Sequence, residues 1–322
     1  MEKQAEVLNN EGVTLFMNGK LNDAKGKYLD ALKSNPNHPA ALNNLGLLYL
    51  QDKKLDEAED CFQKAIAQDD KATYLLNMGH VYANKNMLER AEEYYKKSIE
   101  KDSCSLTAYQ SLSGLYRFGG RYSESMHIWQ KVIENIGDDE SFLIELCRDL
   151  IAVQAYHNAL EILSKMNDKG NFREKIWYLI ALVHFHLSNF GMAESAVNQS
   201  LTAKPNNIDS HILAATIQLG KSNLKQAVEH WNFVLTVDKN NYRIRTDKAV
   251  ALLANGFRNE ALEALNEALI IEPKYEKALF YKALTWIEMG KLLDDAENIL
   301  KDLININSSF AQRSKILLLK NK

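Results

Sequence analysis

PAALNNLGLLYLQDKKLDEAEDCFQKAIAQDDK, residues 39–71, reads as a helical hairpin, two apolar-periodic segments joined by a short polar turn. Small residues at Gly46, Ala58 and Ala65 stand where two helices must touch, and Leu42, Leu45, Tyr49 and Phe62 are the large apolar residues that fill the space around them. Antiparallel helices approach to roughly 8–10 Å only where the side chains at the crossing are small. Such a module cannot bury its apolar face alone, so further copies are expected.

Sliding the module along the chain aligns one small-residue column at Ala24, Ala58, Ala91, Ser125, Ala159, Ala193, Ala227, Ala261 and Ala296, with spacings of 33–35 residues. A second column runs through Gly12, Gly46, Gly79, Ser113, Cys147, Ala181, Ala215, Ala249 and Ala283. Four residues after each member of the first column comes a large apolar residue: Tyr28, Phe62, Tyr95, Trp129, Leu163, Val197, Trp231, Leu265 or Leu300. Positions i and i+4 share a helix face, so each forms a wedge beside its small partner. Gly19, Gly120, Gly256 and Gly290 fall at the turn inside a hairpin. Pro36, Pro205 and Pro273 end second helices, and Pro39 suits a first helical turn.

Together these residues resemble the tetratricopeptide repeat, whose signature is W-x2-L-G-x2-Y, then A-x3-F, then P in a helix-turn-helix of about 34 residues. Leu42, Leu45-Gly46, Tyr49, Ala58, Phe62 and Ala65 carry the match in the second repeat, and Trp177 and Pro205 in the sixth. The repeats run near 5–38, 39–71, 72–105, 106–139, 140–173, 174–207, 208–241, 242–275 and 276–310, an array over 1–310. Residues 311–322 are too short for another repeat and are expected to form a capping helix. The resemblance implies an all-α, right-handed superhelical solenoid of nine hairpins. The fifth repeat keeps the small-and-large pattern with Cys147, Leu150 and Leu163 but lacks the aromatic residues of the pattern, and its boundary with the sixth, MNDKGNFRE at 166–174, is polar with no proline stop, so a hinge is expected there.

Composition limits the function classes. A net charge of −3 provides no global basic field for nucleic acid. The start, MEKQAEVLNNEGVTLF, carries acids early and has no long apolar run, which argues against a secretory leader. The longest nearly apolar run, 176–187, has 12 residues, short of the roughly 20 needed to span a bilayer. A cytoplasmic protein is expected. Cys61, Cys104 and Cys147 form no CxxC pair, which points to incidental thiols rather than disulfides or zinc. His184 and His186 are two apart and point to different sides of a helix. No nucleophile–base pair or phosphate loop stands out, so no enzyme activity, cofactor or metal is expected.

The resemblance implies that first helices of successive hairpins line a concave groove, with contacts from the second, fifth, sixth, ninth, twelfth and thirteenth positions of each repeat. The sixth position carries Asn10, Asn44 and Asn77, with Asn9 and Asn43 beside the first two. An amide both donates and accepts, so such a row suits an extended peptide backbone. It resembles the asparagine ladder in the repeat region of O-linked N-acetylglucosamine transferase, over three rungs only; filler in an Asn-rich chain is the alternative. In the middle of the groove, Arg117, Arg148, Lys175, Tyr178 and Phe185, with Phe118, Ile144 and Ile151, are expected to face a partner. Near the end, Arg243, Thr246, Lys277 and Phe280 are expected to do the same. The reading is a non-catalytic scaffold or adaptor binding an extended peptide or helical segment, with no nucleic acid and no membrane insertion. A self-assembling structural protein, using the C-terminal segment with its apolar run 316–319, is the alternative, and an RNA-binding helical repeat a more distant one.

Overall fold

The structure, a computed structural model, describes residues 2–166 and 172–320. Its chain divides into two compact bodies, Met1–Ile162 and Leu163–Lys322. Every regular element among the described residues is a helix.

In the first body α1 (Glu2–Met17) pairs with α2 (Leu21–Ser34), and α3 (Pro39–Gln51) with α4 (Leu55–Gln68). Next come α5 (Ala72–Asn84) with α6 (Leu88–Lys101), and α7 (Leu106–Phe118) with α8 (Tyr122–Asn135). Then follow α9 (Glu140–Ala152) and α10 (Tyr156–Lys165). The second body pairs α11 (Arg173–His186) with α12 (Phe190–Ala203), and α13 (Ile208–Gly220) with α14 (Leu224–Val237). It continues with α15 (Tyr242–Ala254) and α16 (Arg258–Ile271), then α17 (Glu276–Met289) and α18 (Leu293–Asn305), and ends at α19 (Ala311–Lys320). The hinge expected at 166–174 falls chiefly on 167–171, outside the described residues.

The two small columns are the crossing points. Ala24, Ala58, Ala91, Ala193, Ala227, Ala261 and Ala296 are fully buried, as are the wedges Phe62, Leu265 and Leu300. A Cβ added to Gly12, Gly46 or Gly79 would come within 2.5, 2.8 and 2.5 Å of ring carbons of Tyr28, Phe62 and Tyr95. The ring thus occupies the volume that the glycine leaves open, and burying such a side chain contributes about 1.5–3 kcal/mol.

The turns share one backbone solution. Gly19, Gly120, Gly256 and Gly290 have φ of 75°, 71°, 85° and 64°. At the same register the other hairpins place Lys53, Asn86, Gln154, Ser188 and Ser222, all with φ between 57° and 62°. The extra residue of the ninth hairpin is accommodated by a second left-handed residue, Leu292, at φ 48°. Caps explain several asparagines: the side chains of Asn207, Asn223 and Asn241 accept from backbone N–H groups at the starts of α13, α14 and α15. At the C-terminus, Phe310, Leu317 and Leu318 pack against the buried Leu300 and Leu303 of α18, so α19 covers the last hairpin.

Candidate functional site

First helices touch one another at α1 with α3 and α3 with α5 in the first body, and at α11 with α13 and α15 with α17 in the second. The residues on these first helices that do not pack against their own second helix form the first-helix strip of each body.

In the first body the strip begins with asparagines joined in a single line. Asn77 Nδ2 donates to Asn43 Oδ1 (2.8 Å), Asn43 Nδ2 to Asn44 Oδ1 (3.3 Å), Asn44 Nδ2 to Asn9 Oδ1 (2.9 Å), and Asn9 Nδ2 to Asn10 Oδ1 (3.4 Å). Every amide in the line points the same way. Asn9 and Asn43 are buried, whereas Asn44 and Asn77 are half-buried and Asn10 is exposed. Each amide carries two N–H groups and two lone-pair sites, so the internal line leaves part of the capacity of Asn10, Asn44 and Asn77 unused.

Farther along, Arg117 is committed inward rather than offered outward. Its Nε donates to Asp149 Oδ1, its Nη1 to Glu145 Oε2, and its Nη2 to the Glu145 carbonyl at 2.8 Å. Burial pulls its pKa down, but the hydrogen bonds from Asp149 and Glu145 more than offset this and hold it above the ordinary arginine value. Asp149 is only 1 % exposed and accepts a second bond from Ser125 Oγ at 2.6 Å. Since that uses the Ser125 proton, the 2.8 Å contact between Ser113 and Ser125 has Ser113 as donor. Arg148 bonds Glu145 Oε1 at 3.0 Å, and about half of its side chain remains exposed. Phe118 beside Arg117 is 75 % exposed, whereas Ile144 and Ile151, expected to face a partner, are buried.

In the second body Lys175 is exposed, with Nζ 5.4 Å above the Phe172 ring. Tyr178 and Phe185 are half-buried against the core formed by α11, α12 and α13. Phe185 keeps a tilted contact with Phe190 at 6.0 Å. Burial lowers the His184 pKa, and its Nδ1 has no hydrogen-bond partner among the described residues. The expectation for the last repeats needs correction at two positions. Thr246 is fully buried, its hydroxyl turned back to the Tyr242 carbonyl at 2.8 Å. Phe280 is buried because Phe310, leading into α19, stacks on it at 5.0 Å. Arg243 stays exposed, and Lys277 pairs with Asp247 at 2.6 Å.

Burial pushes the Cys61 and Cys147 thiols up to about 11 and about 12, so neither is a ready nucleophile. No group of three or more His, Cys, Asp or Glu side chains able to hold a metal occurs among the described residues. No helix among them is long and apolar enough to cross a membrane.

Sequence-family comparison matches the tetratricopeptide repeat at residues 9–73, and again at 72–102 and 174–207. The chain carries tetratricopeptide repeats. Solved structures place the repeat array among its structural relatives. A chain of the APC/C hetero-tetramer Cut9–Hcn1 is 16 % identical with a TM-score of 0.55, over 88 % of this chain and 56 % of that one. This chain thus spans little more than half of that relative. A tetratricopeptide repeat protein from Parabacteroides merdae is 17 % identical, with a TM-score of 0.52 over 88 % of this chain and 99 % of its own. PilF of Pseudomonas aeruginosa is 16 % identical, with a TM-score of 0.53 over 66 % and 98 %. At these identities the likeness is one of fold. None of the curated proteins matches the sequence. Tetratricopeptide repeats are a protein-interaction kind of fold.

Two features of the strip escaped sequence reading. Asp149, which immobilises Arg117, could have been noticed because both small columns of the fourth repeat hold serine, at Ser113 and Ser125, where alanine or glycine is the rule. The second is an opening lined by Ile212, Thr216 and Leu219 of α13 and by Asp247, Val250 and Ala254 of α15, over Trp231, which no single residue type announces.

Proposed function

We propose that the chain is a non-catalytic scaffold that holds an extended peptide or helical segment of another protein against the first-helix strip. The observation that carries this reading is the line of asparagine amides. Their internal bonds fix every orientation in advance, so a peptide backbone laid along Asn10, Asn44 and Asn77 meets donors and acceptors that lose little freedom on binding. Arg148 supplies a side-chain contact on the strip of the first body, and Lys175, Tyr178 and Phe185 supply contacts on the strip of the second. Arg117 acts differently: with its donors held by Glu145 and Asp149, it sets the position of Glu145 rather than reaching a ligand.

The test is co-purification of partners with the full chain and with a variant carrying Arg148→Ala and Tyr178→Ala. Loss of the captured protein with unchanged helicity supports the strip, and capture at the wild-type level contradicts it. Self-assembly is the second reading, favoured by Ile316 and Leu319 of α19, which are 46 % and 74 % exposed. Light scattering decides it: an oligomer dispersed by Ile316→Ser with Leu319→Ser supports self-assembly, and a monomeric wild type excludes it.

A further inference from the structure

The segment from 303 to 322 carries charge of one sign. It holds no Asp or Glu and four cations, Arg313, Lys315, Lys320 and Lys322, in a chain whose net charge is −3. Three of the four lie on α19, which packs on the last hairpin through Leu317 and Leu318 and buries Ala311 and Ser314. The other side of α19 is open: Arg313, Lys315 and Lys320 are exposed, as are Ile316 at 46 % and Leu319 at 74 %. None of these three cations is ion-paired among the described residues, and Arg313 only stands 5.9 Å from the Phe310 ring.

Helical spacing arranges these side chains. Ile316 and Leu319 are three residues apart and share one face. At about 100° per residue, Lys315 stands about 70° to one side of their midline, and Lys320 and Arg313 about 70–90° to the other. An apolar ridge is therefore flanked by cations on both sides. Long basic side chains so placed lay their methylene stems along apolar surface and keep their charged ends in a polar layer.

We propose that the outer face of α19 docks the chain on an anionic lipid surface, with Ile316 and Leu319 entering the headgroup boundary and Arg313, Lys315 and Lys320 on acidic headgroups. The helix has 10 residues and lies in the plane of the surface without crossing it. This docking goes beyond what the first-helix strip holds and does not depend on it. Charge selects the occupant: pairing two copies through this face sets cations only against cations, which opposes it. Shape agrees, because a single helix presents a ridge, which a flat surface accepts without a matching groove. With three cations and two apolar side chains the attachment is reversible.

The experiment is co-sedimentation of the full chain with vesicles of equimolar phosphatidylglycerol and phosphatidylcholine, and with vesicles of phosphatidylcholine alone. The expected result is partitioning about tenfold or more stronger to the anionic vesicles, declining as salt is raised. Lys315→Gln with Lys320→Gln weakens it about tenfold or more. Ile316→Ser with Leu319→Ser also weakens it, which adsorption by charge alone would not show. All four positions are exposed, and circular dichroism checks that both variants keep the fold. Equal partitioning to the two kinds of vesicle, partitioning to neither, or unchanged partitioning of the lysine variant overturns the proposal. Retention on immobilised polyglutamate without partitioning to vesicles assigns the face to an acidic protein instead. An oligomer seen by light scattering without vesicles, and dispersed by the Ile316 and Leu319 changes, assigns it to a second copy. Either result overturns lipid docking and leaves the scaffold reading standing, because neither variant touches the first-helix strip.

Discussion

Ser125 donates a hydrogen bond to Asp149 at 2.6 Å, from a position where every other repeat carries alanine, and thereby admits a carboxylate to the packed interior between α8 and α9. The carboxylate in turn holds Arg117. A charge so placed is tolerated because both of its oxygens are bonded; removing one partner leaves the other buried and uncompensated. Asp149→Ala should therefore destabilise the first body by about 3 kcal/mol or more, while Ser125→Ala costs about 1–3 kcal/mol for one lost bond to a charged group. Urea denaturation of the full chain, followed by hydrogen exchange across 106–152, checks both values and their location.

Glycines on helices divide into two classes with opposite expected responses. Gly46 faces the Phe62 ring, so Gly46→Ala forces the ring aside and should destabilise by about 1–3 kcal/mol despite the better helix propensity of alanine. Gly26, inside α2, has nothing within 4 Å of an added Cβ. Gly26→Ala should raise stability by about 1 kcal/mol. Thermal melts of the two variants side by side give shifts of opposite sign.

The left-handed turn residues offer a second stabilising route. Lys53 and Gln154 hold φ of 57° and 62°, which costs a residue with a Cβ about 1 kcal/mol relative to glycine. Lys53→Gly and Gln154→Gly should each recover roughly half or more of that, since glycine also loosens the unfolded chain. Gly256→Ala should lose about 1 kcal/mol at the same register. The midpoints of chemical denaturation provide the comparison.

Histidines set the acid limit. Burial lowers the pKa of His80, His184 and His230, the last also through the neighbouring His211 ring. The unfolded chain takes up protons near the ordinary value of about 6.5, before the folded chain does. Stability is therefore unaffected by these groups above pH 7 and falls as pH drops through about 6.5. His80→Gln, which keeps a polar group near Tyr95 Oη, should flatten the decline between pH 7 and pH 5.5. An unchanged slope would assign the acid sensitivity elsewhere.

Architecture was legible because packing repeats itself. Gly46, Ala58 and Phe62 recur in register, and the same physical demand, a small residue facing a large one, acts at every crossing. The turn column was half legible: glycine marks four of its members, but Lys53, Asn86, Gln154, Ser188 and Ser222 adopt the same backbone without a glycine to announce it. Groove positions were less legible, because a first-helix residue can turn inward when a neighbouring repeat supplies a partner. Arg117 is held by Glu145 and Asp149, and Phe280 is covered by Phe310, which belongs to the segment after the last repeat. Position in a repeat gives the face of a helix, not the residue that meets it.

The most direct test of the scaffold is photo-crosslinking in cells from single sites on the full chain. A photoreactive amino acid at Ser111 or Leu182 lies on a first helix, whereas one at Lys33 or Glu263 lies on a second helix. A scaffold that binds through the first-helix strip gives discrete protein adducts from Ser111 and Leu182 and none from Lys33 or Glu263. Adducts confined to the second-helix sites would contradict it.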